Sequence, residues 1–291
     1  GHVLGSDFGN AVAVLNDSLL VGAPQPRHGS TYYGSGYVAQ YDLATLSLTR
    51  VVSIPNPPEN ENSIDEWFGH SIAATDNHFI VGDPRDRTSS SDSGAVYLVD
   101  PKTGEIVHTY LPPAEAVSSQ FGISVAGLGN KILIGDHTAQ SSHLFYDVTR
   151  SLLHTFMDST PSSLFGTDVE LIGNYAVMGA PRAYEHKGAV QVFDVSTGNF
   201  VQELRAPDGL EDDSFGTTIT RVGEHTIAIA NAPPGGLNRP GKVYLFSLIP
   251  EPACVFLCII AATSIAITRR RLRQGPISHS DWHSIRKKLE T

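Results

Sequence analysis

The chain has 291 residues, 41% of them hydrophobic, and a formal net charge of −10. That length is ample for a sizeable core, and the acidic balance excludes a nucleic-acid binder, whose partner's phosphates demand a basic surface. Both cysteines, Cys254 and Cys258, lie in one apolar run near the C-terminus, so nothing upstream is stapled by disulfides.

The chain starts at Gly1 without Met or a signal peptide, and His2-Val3-Leu4 sits where a preceding strand would end. An exported protein needs a leader, so the expectation is a cleaved or lost N-terminus. Five times thereafter a phrase returns: Phe-Gly, about a dozen alternating apolar residues, then Gly-Ala-Pro or a variant. It begins at Phe8, Phe68, Phe121, Phe165 and Phe215. Gly9 to Gly22, Gly69 to Gly82, Gly122 to Gly135 and Gly166 to Gly179 are each 13 apart, whereas the phrases start 60, 53, 44 and 50 residues apart. A fixed unit with variable connections is a repeat architecture.

Each phrase predicts two short strands around a tight hairpin, as in Ala11 to Leu15 and Leu19 to Ala23 about Asn16-Asp17. A third strand follows a loop: GYVAQYD from Gly36, GAVYLVD from Gly94, HLFYDV from His143, GAVQVFD from Gly188 and GKVYLFS from Gly241. LTRVVSI, EIVHTYL, LLHTFM and FVQELRA supply a fourth strand to the first four units, and the fifth has none. Four antiparallel strands at a period of roughly 50 predict an all-β propeller over residues 1–248. The Phe is expected to wedge between neighbouring blades, and its Gly to allow close backbone approach.

The five phrases resemble the FG-GAP repeat of integrin α-subunit propellers and of many bacterial surface proteins. The resemblance covers roughly residues 7 to 248; the third unit (Gly-Asp-His) and the fifth (an extra residue before Ala232-Pro233) depart from the pattern. It implies a propeller with a binding or adhesion role outside the cell. Blades of that family often hold calcium in an Asp-x-Asp-x-Asp-Gly loop between the first two strands. Such oxygen cages need several carboxylates in one loop, and these hairpins are too short, so neither calcium nor another cofactor is expected. Asp83, Asp86 and Asp92 lie close in sequence, but the Ser/Thr run among them reads as a solvated loop.

After the fifth unit comes IPEPACVFLCIIAATSIAITRRRLR, Ile249 to Arg273. Residues 253–268 carry no charge and predict one transmembrane-type helix, short of the ~20 residues of a full span but extensible by snorkelling arginines. Cys254 and Cys258, four apart, share one face of it and read as membrane-filling, with lipidation the alternative. Arg269, Arg270 and Arg271 then fall on the cytoplasmic side, with the blades outside. Pro250, Glu251 and Pro252 before an apolar helix and an arginine cluster resemble the PEP-CTERM sorting signal of Gram-negative bacteria. That resemblance implies recognition and cleavage by an exosortase-type enzyme and delivery to the envelope or extracellular matrix. Residues 274–291 extend beyond the usual end of such signals and read as a short basic cytoplasmic tail. Residues 250–291 hold seven Lys/Arg against three Asp/Glu, so the negative charge belongs to the blades, as suits a soluble surface protein.

Strand order puts the loops between strands two and three on the same face as the blade-to-blade linkers, opposite the short hairpins. That long-loop face is the expected binding face. Tyr32, Tyr33, Arg85, Arg87, Tyr184, His186 and Arg239 are its candidates, because aromatics and Arg favour recognition. Nucleophile elbow, zinc-protease and phosphate-loop motifs are absent, so no catalytic and no metal-ligating residues are assigned. The favoured reading is a non-enzymatic envelope module binding surface polysaccharide or a surface protein. The alternative is an exported hydrolase or lyase on a propeller scaffold, which requires a central pocket with convergent Asp, Glu, His or Arg.

Overall fold

A computed structural model describes residues 7–24, 27–28, 31–32, 36–54, 67–87, 93–113, 119–233 and 239–248. The expected transmembrane-type helix, the sorting residues Pro250, Glu251, Pro252, Arg269, Arg270 and Arg271, and the tail lie outside them. Among the described residues no helix is long and apolar enough to cross a membrane.

Five antiparallel sheets follow one another in chain order, each with its strands in sequential spatial order. Blade one contains β1 (Val12–Leu15) and β2 (Ser18–Ala23), then a two-residue ribbon of β3 (Arg27–His28) and β4 (Thr31–Tyr32), then β5 (Tyr37–Asp42) and β6 (Leu48–Val52). Blade two is β7 (Ser71–Ala74), β8 (Phe79–Asp83), β9 (Ala95–Val99) and β10 (Ile106–Tyr110). Blade three is β11 (Val125–Leu128), β12 (Lys131–Asp136), β13 (Ser141–Tyr146) and β14 (Leu152–Met157). Blade four is β15 (Val169–Ile172), β16 (Tyr175–Ala180), β17 (Ala189–Asp194) and β18 (Phe200–Leu204). Blade five has three strands, β19 (Thr218–Arg221), β20 (Thr226–Ala230) and β21 (Val243–Ser247).

The first strands are innermost: β1 packs on β7, β7 on β11, β11 on β15 and β15 on β19. The fourth strands form the exposed rim. Between blades lie four apolar layers, and each Phe-Gly phenylalanine fills one, with Phe68, Phe121, Phe165 and Phe215 all fully buried. Phe8 departs from the expected wedge. It is 51% exposed, and no described sheet covers the face of blade one that carries Val12, Val14 and Val51.

The phrase works as a joint between blades. Within a blade the Phe-Gly glycine donates to the carbonyl of the glycine ending the second strand, as in Gly69 to Gly82 at 3.1 Å and Gly166 to Gly179 at 2.9 Å. Across the joint, the second-strand glycine lies so close to the next Phe-Gly that a Cβ on Gly22, Gly82, Gly135 or Gly179 would overlap the carbonyl oxygen of Gly69, Gly122, Gly166 or Gly216. The glycine before strand three bridges the next phenylalanine: Gly36 to Phe68, Gly94 to Phe121 and Gly188 to Phe215. Blade three has Gln140 there instead. It adopts φ 52°, and its side-chain oxygen accepts the Ser163 amide at 2.8 Å. Blade five departs in the other direction. Ala230 accepts the Gly216 amide and pairs with Val243, as Gly22 accepts that of Gly9 and pairs with Val38. A methyl group thus occupies the position where each earlier blade leaves room.

Candidate functional site

The long-loop face gathers the predicted candidates into two places rather than one. Tyr33 lies outside the described residues, and Tyr32 is described only as backbone in β4. Arg85 belongs to the inner part of the face, where its guanidinium stands 4.0 Å over the Trp67 ring. Arg87 is partly buried in the same turn. Two of the three nearby aspartates are not in a solvated loop. Asp83 and Asp86 are fully buried; Asp83 accepts the amides of Trp67 at 2.8 Å and Arg85 at 3.1 Å, and Asp86 accepts the Tyr97 hydroxyl.

Three basic groups distant in sequence lie on this face, with His70 near Arg85 and His137, and His137 near Arg182. His70 follows the Phe-Gly of blade two, His137 follows β12 of blade three, and Arg182 follows β16 of blade four. The His70 ring stacks on Trp67 at 5.2 Å, and Asn10 of blade one donates to the His70 carbonyl at 2.6 Å. Burial, then the positive charges of His137 and Arg85, hold His70 below the usual imidazole range. Burial, then the Arg182 guanidinium, does the same to His137. No carboxylate among the described residues offsets either effect. The nearest acid in sequence, Asp136, is buried and accepts the amides of Gln120 at 3.2 Å and Ala139 at 3.1 Å. The signal in the sequence was the Gly-Asp-His variant itself, where Asp and His replace the Ala and Pro of the repeat.

Tyr184, His186 and Arg239 meet at the outer part of the same face, around the linker from blade four to blade five. Tyr184, Glu185 and His186 have φ of 54°, 58° and 60°, a left-handed turn costing roughly 1–2 kcal/mol per residue. It is held by the Gly188 amide on the Ala183 carbonyl at 3.0 Å and the Ser214 amide on the His186 carbonyl at 2.8 Å. Arg205 stacks 3.5 Å over the Tyr184 ring and pairs with Glu203 at 2.6 Å, while the Tyr184 hydroxyl donates to Glu203 at 3.1 Å. His186 pairs with Asp212 at 3.0 Å, and Arg239 with Asp213 at 3.3 Å and the Glu211 carbonyl at 2.6 Å. Every candidate here is already engaged with an acidic neighbour. The linker carboxylates Asp212 and Asp213 pair with His186 and Arg239, and Glu203 of β18 takes Tyr184.

On the opposite, hairpin face an open cavity of about 600 Å³ is lined by Leu128, Gly173 and the turn Arg221 to His225. Its charged groups come from that single turn, and Arg221 is drawn toward the wall, its amide donating to Glu170 at 3.0 Å. Deeper along the inner strands, Asp168 joins three blades: it accepts from Ser124 Oγ at 2.7 Å and the Ile219 amide at 2.6 Å. Burial pushes its pKa up to about 6 despite those bonds. Both are architectural arrangements rather than paired acids facing a substrate space. Among the described residues no three His, Cys, Asp or Glu gather as a metal-holding group.

No family profile and no curated protein matches this sequence. Solved structures do resemble its fold. Hydrazine synthase of Kuenenia stuttgartiensis is similar at TM-score 0.56 and 13% identity, over 85% of this chain and 66% of that one. The WD40 repeats of RRP9 are similar at TM-score 0.56 and 11% identity, over 84% and 62%. The beta-propeller domain of Cps50 (Swd1) from Myceliophteria thermophila is similar at TM-score 0.57 and 12% identity, over 91% and 73%. The chain thus spans just under two thirds of the length of the first two. At such identities the likeness concerns the fold alone: the described residues form an all-β propeller-type array of blades.

Proposed function

We propose that this chain is the binding propeller of an exported envelope protein, built of FG-GAP-type blades and delivered by a PEP-CTERM-type tail. The long-loop face holds a surface polysaccharide or surface protein. The observation that carries this reading is on the long-loop face, where His70, His137 and Arg182, from three blades of an otherwise acidic protein, have no acidic partner among the described residues. The alternative of an exported hydrolase finds less support in the hairpin-face cavity, whose charged groups come from one turn.

The test is capture of secreted polymer and outer-membrane fractions by the purified protein. Saturable binding that competes with excess free protein is expected; no saturable binding to any fraction would sink the proposal. The sorting component has its own measurement. Mass spectrometry of envelope material is expected to find protein ending near Pro250–Pro252, and an intact terminus at Thr291 would replace sorting by a plain membrane anchor.

A further inference from the structure

We propose that β21 is an open sheet edge at which two copies of this chain join, the β21 of each serving as the fourth strand of the other's blade five. In blades one to four the third strand pairs antiparallel with a fourth: β5 with β6, β9 with β10, β13 with β14 and β17 with β18. Blade five stops at β21, so among the described residues its outer side is unpaired. The Leu248 amide donates to the His225 carbonyl at 2.7 Å, and the Lys242 carbonyl accepts the Asn231 amide at 3.0 Å. Backbone groups alternate along a strand, so those of Tyr244 and Phe246 also turn toward β20, and those of Val243, Leu245 and Ser247 turn outward. They face the side that a fourth strand takes in every other blade.

This edge lacks the devices that keep the other rims from pairing. Each fourth strand carries an extra residue that breaks its ladder: Thr49, Val107, Leu153 and Val201. Arg50 and Glu203 add charge to two of them. By contrast β21 pairs with β20 without a break from Val243 to Ser247, and its Val-Tyr-Leu-Phe-Ser holds no proline and no charge. Val243 and Leu245 stand exposed, while Tyr244 and Phe246 are buried against Phe215. A second copy is the occupant because a two-fold axis at Leu245 makes β21 its own antiparallel complement. Leu245 then lies opposite the second copy's Leu245, and Val243 opposite its Ser247, so each outward amide meets an outward carbonyl. The nearest charge is already neutralised within its own copy: Lys242 Nζ donates to Asp208 at 2.5 Å, and Asp208 also accepts the Tyr244 hydroxyl at 2.6 Å. No like charges are brought together across the axis.

Sedimentation of the full chain is to be measured in a mild detergent that keeps the apolar residues 253–268 in solution. A contact of one strand per copy is small, so monomer is expected to give way to dimer in the micromolar range. Leu245→Lys sets two charges face to face at the axis and is expected to weaken the dimer about tenfold or more. Leu245 is exposed, so this variant leaves blade five folded. In a Cys254→Ser, Cys258→Ser background, Leu245→Cys is expected to form a disulfide between copies, because opposed residues lie about 5.5 Å apart. Val243→Cys is expected to form none, its two copies standing about 14 Å apart. Hydrogen exchange at Val243, Leu245 and Ser247 is expected to slow as concentration rises. A chain still monomeric at about 200 µM, a dimer indifferent to Leu245→Lys, or cross-linking through Val243→Cys in place of Leu245→Cys would overturn the proposal. Protection of the three amides in the monomer would mean that another segment holds the edge, and would overturn it as well.

Discussion

His143 shows how one buried residue ties this fold to pH. It is 2% exposed in β13, between Ser141 Oγ at 3.1 Å and Thr155 Oγ1 at 3.2 Å, and burial lowers its pKa to about 4. In the unfolded chain it would titrate near 6.5, so between about pH 6.5 and 4 the unfolded state binds the extra proton. Its contribution is complete above that window and is lost on acidification, by roughly 3 kcal/mol in all. Asp168 acts oppositely: its raised pKa penalises the native state as pH rises from about 4 to about 6. His143→Gln is therefore expected to gain stability relative to the parent by about 2 kcal/mol between pH 7.5 and 4.5, read from urea midpoints. An unchanged difference would show that His143 is not the titrating group. Asp147 supplies a second test. It is buried, and it accepts from Thr75 Oγ1 at 2.6 Å, His78 Nδ1 at 2.8 Å and Arg150 at 2.8 Å, clamping blade two to blade three. Burial works to raise its pKa, but the Thr75 and His78 hydrogen bonds prevail and hold it below the carboxylate range. Asp147→Ala is expected to cost about 3 kcal/mol in denaturant unfolding, because three donors lose one acceptor.

The blade joint belongs to the element scale. Gly82→Ala places a methyl group against the Ser71 hydroxyl and the Gly122 carbonyl, one flexible and one fixed. The backbone must move, and a loss of roughly 2–4 kcal/mol is expected in denaturant unfolding. The reverse change in blade five, Ala230→Gly, relieves no such overlap and is expected to cost only about 0.5–1 kcal/mol, from glycine's chain entropy. Similar costs for the two variants would refute the joint. The Phe-Gly spacing made this joint legible as a repeat, because the same close approach recurs at every interior blade. Gln140 and the aspartates of the second and third units were not legible. Their roles depend on partners, Ser163, Trp67 and Gln120, that only packing brings within reach.

At the scale of the molecule, the described blades pack chiefly on their neighbours in sequence, so their stability is a sum of blades and joints. Weakening one joint should therefore release one end of the array rather than the whole. Hydrogen exchange of Gly82→Ala is expected to lose protection in blades one and two while blades four and five retain theirs. Uniform loss across all five would mean a single cooperative unit. The faces bounding the array differ from interior joints: Phe8 and Val12 stand exposed on blade one, and Ala230 fills the glycine position on blade five.

The order of strands, the number of visible blades and the face on which long loops gather were all determined by the sequence itself. They follow from local periodicity, turn residues and spacing, which need no partner distant in the chain. Which loop residues have an acidic partner was decided only by tertiary structure. Linker acids Asp212 and Asp213 engage His186 and Arg239, and Glu203 of β18 engages Tyr184, whereas His70, His137 and Arg182, up to 112 residues apart, have no acidic partner among the described residues. The reason is that charge compensation is a property of neighbours in space, and the Phe-Gly joint sets those neighbours by stacking blades rather than by proximity along the chain.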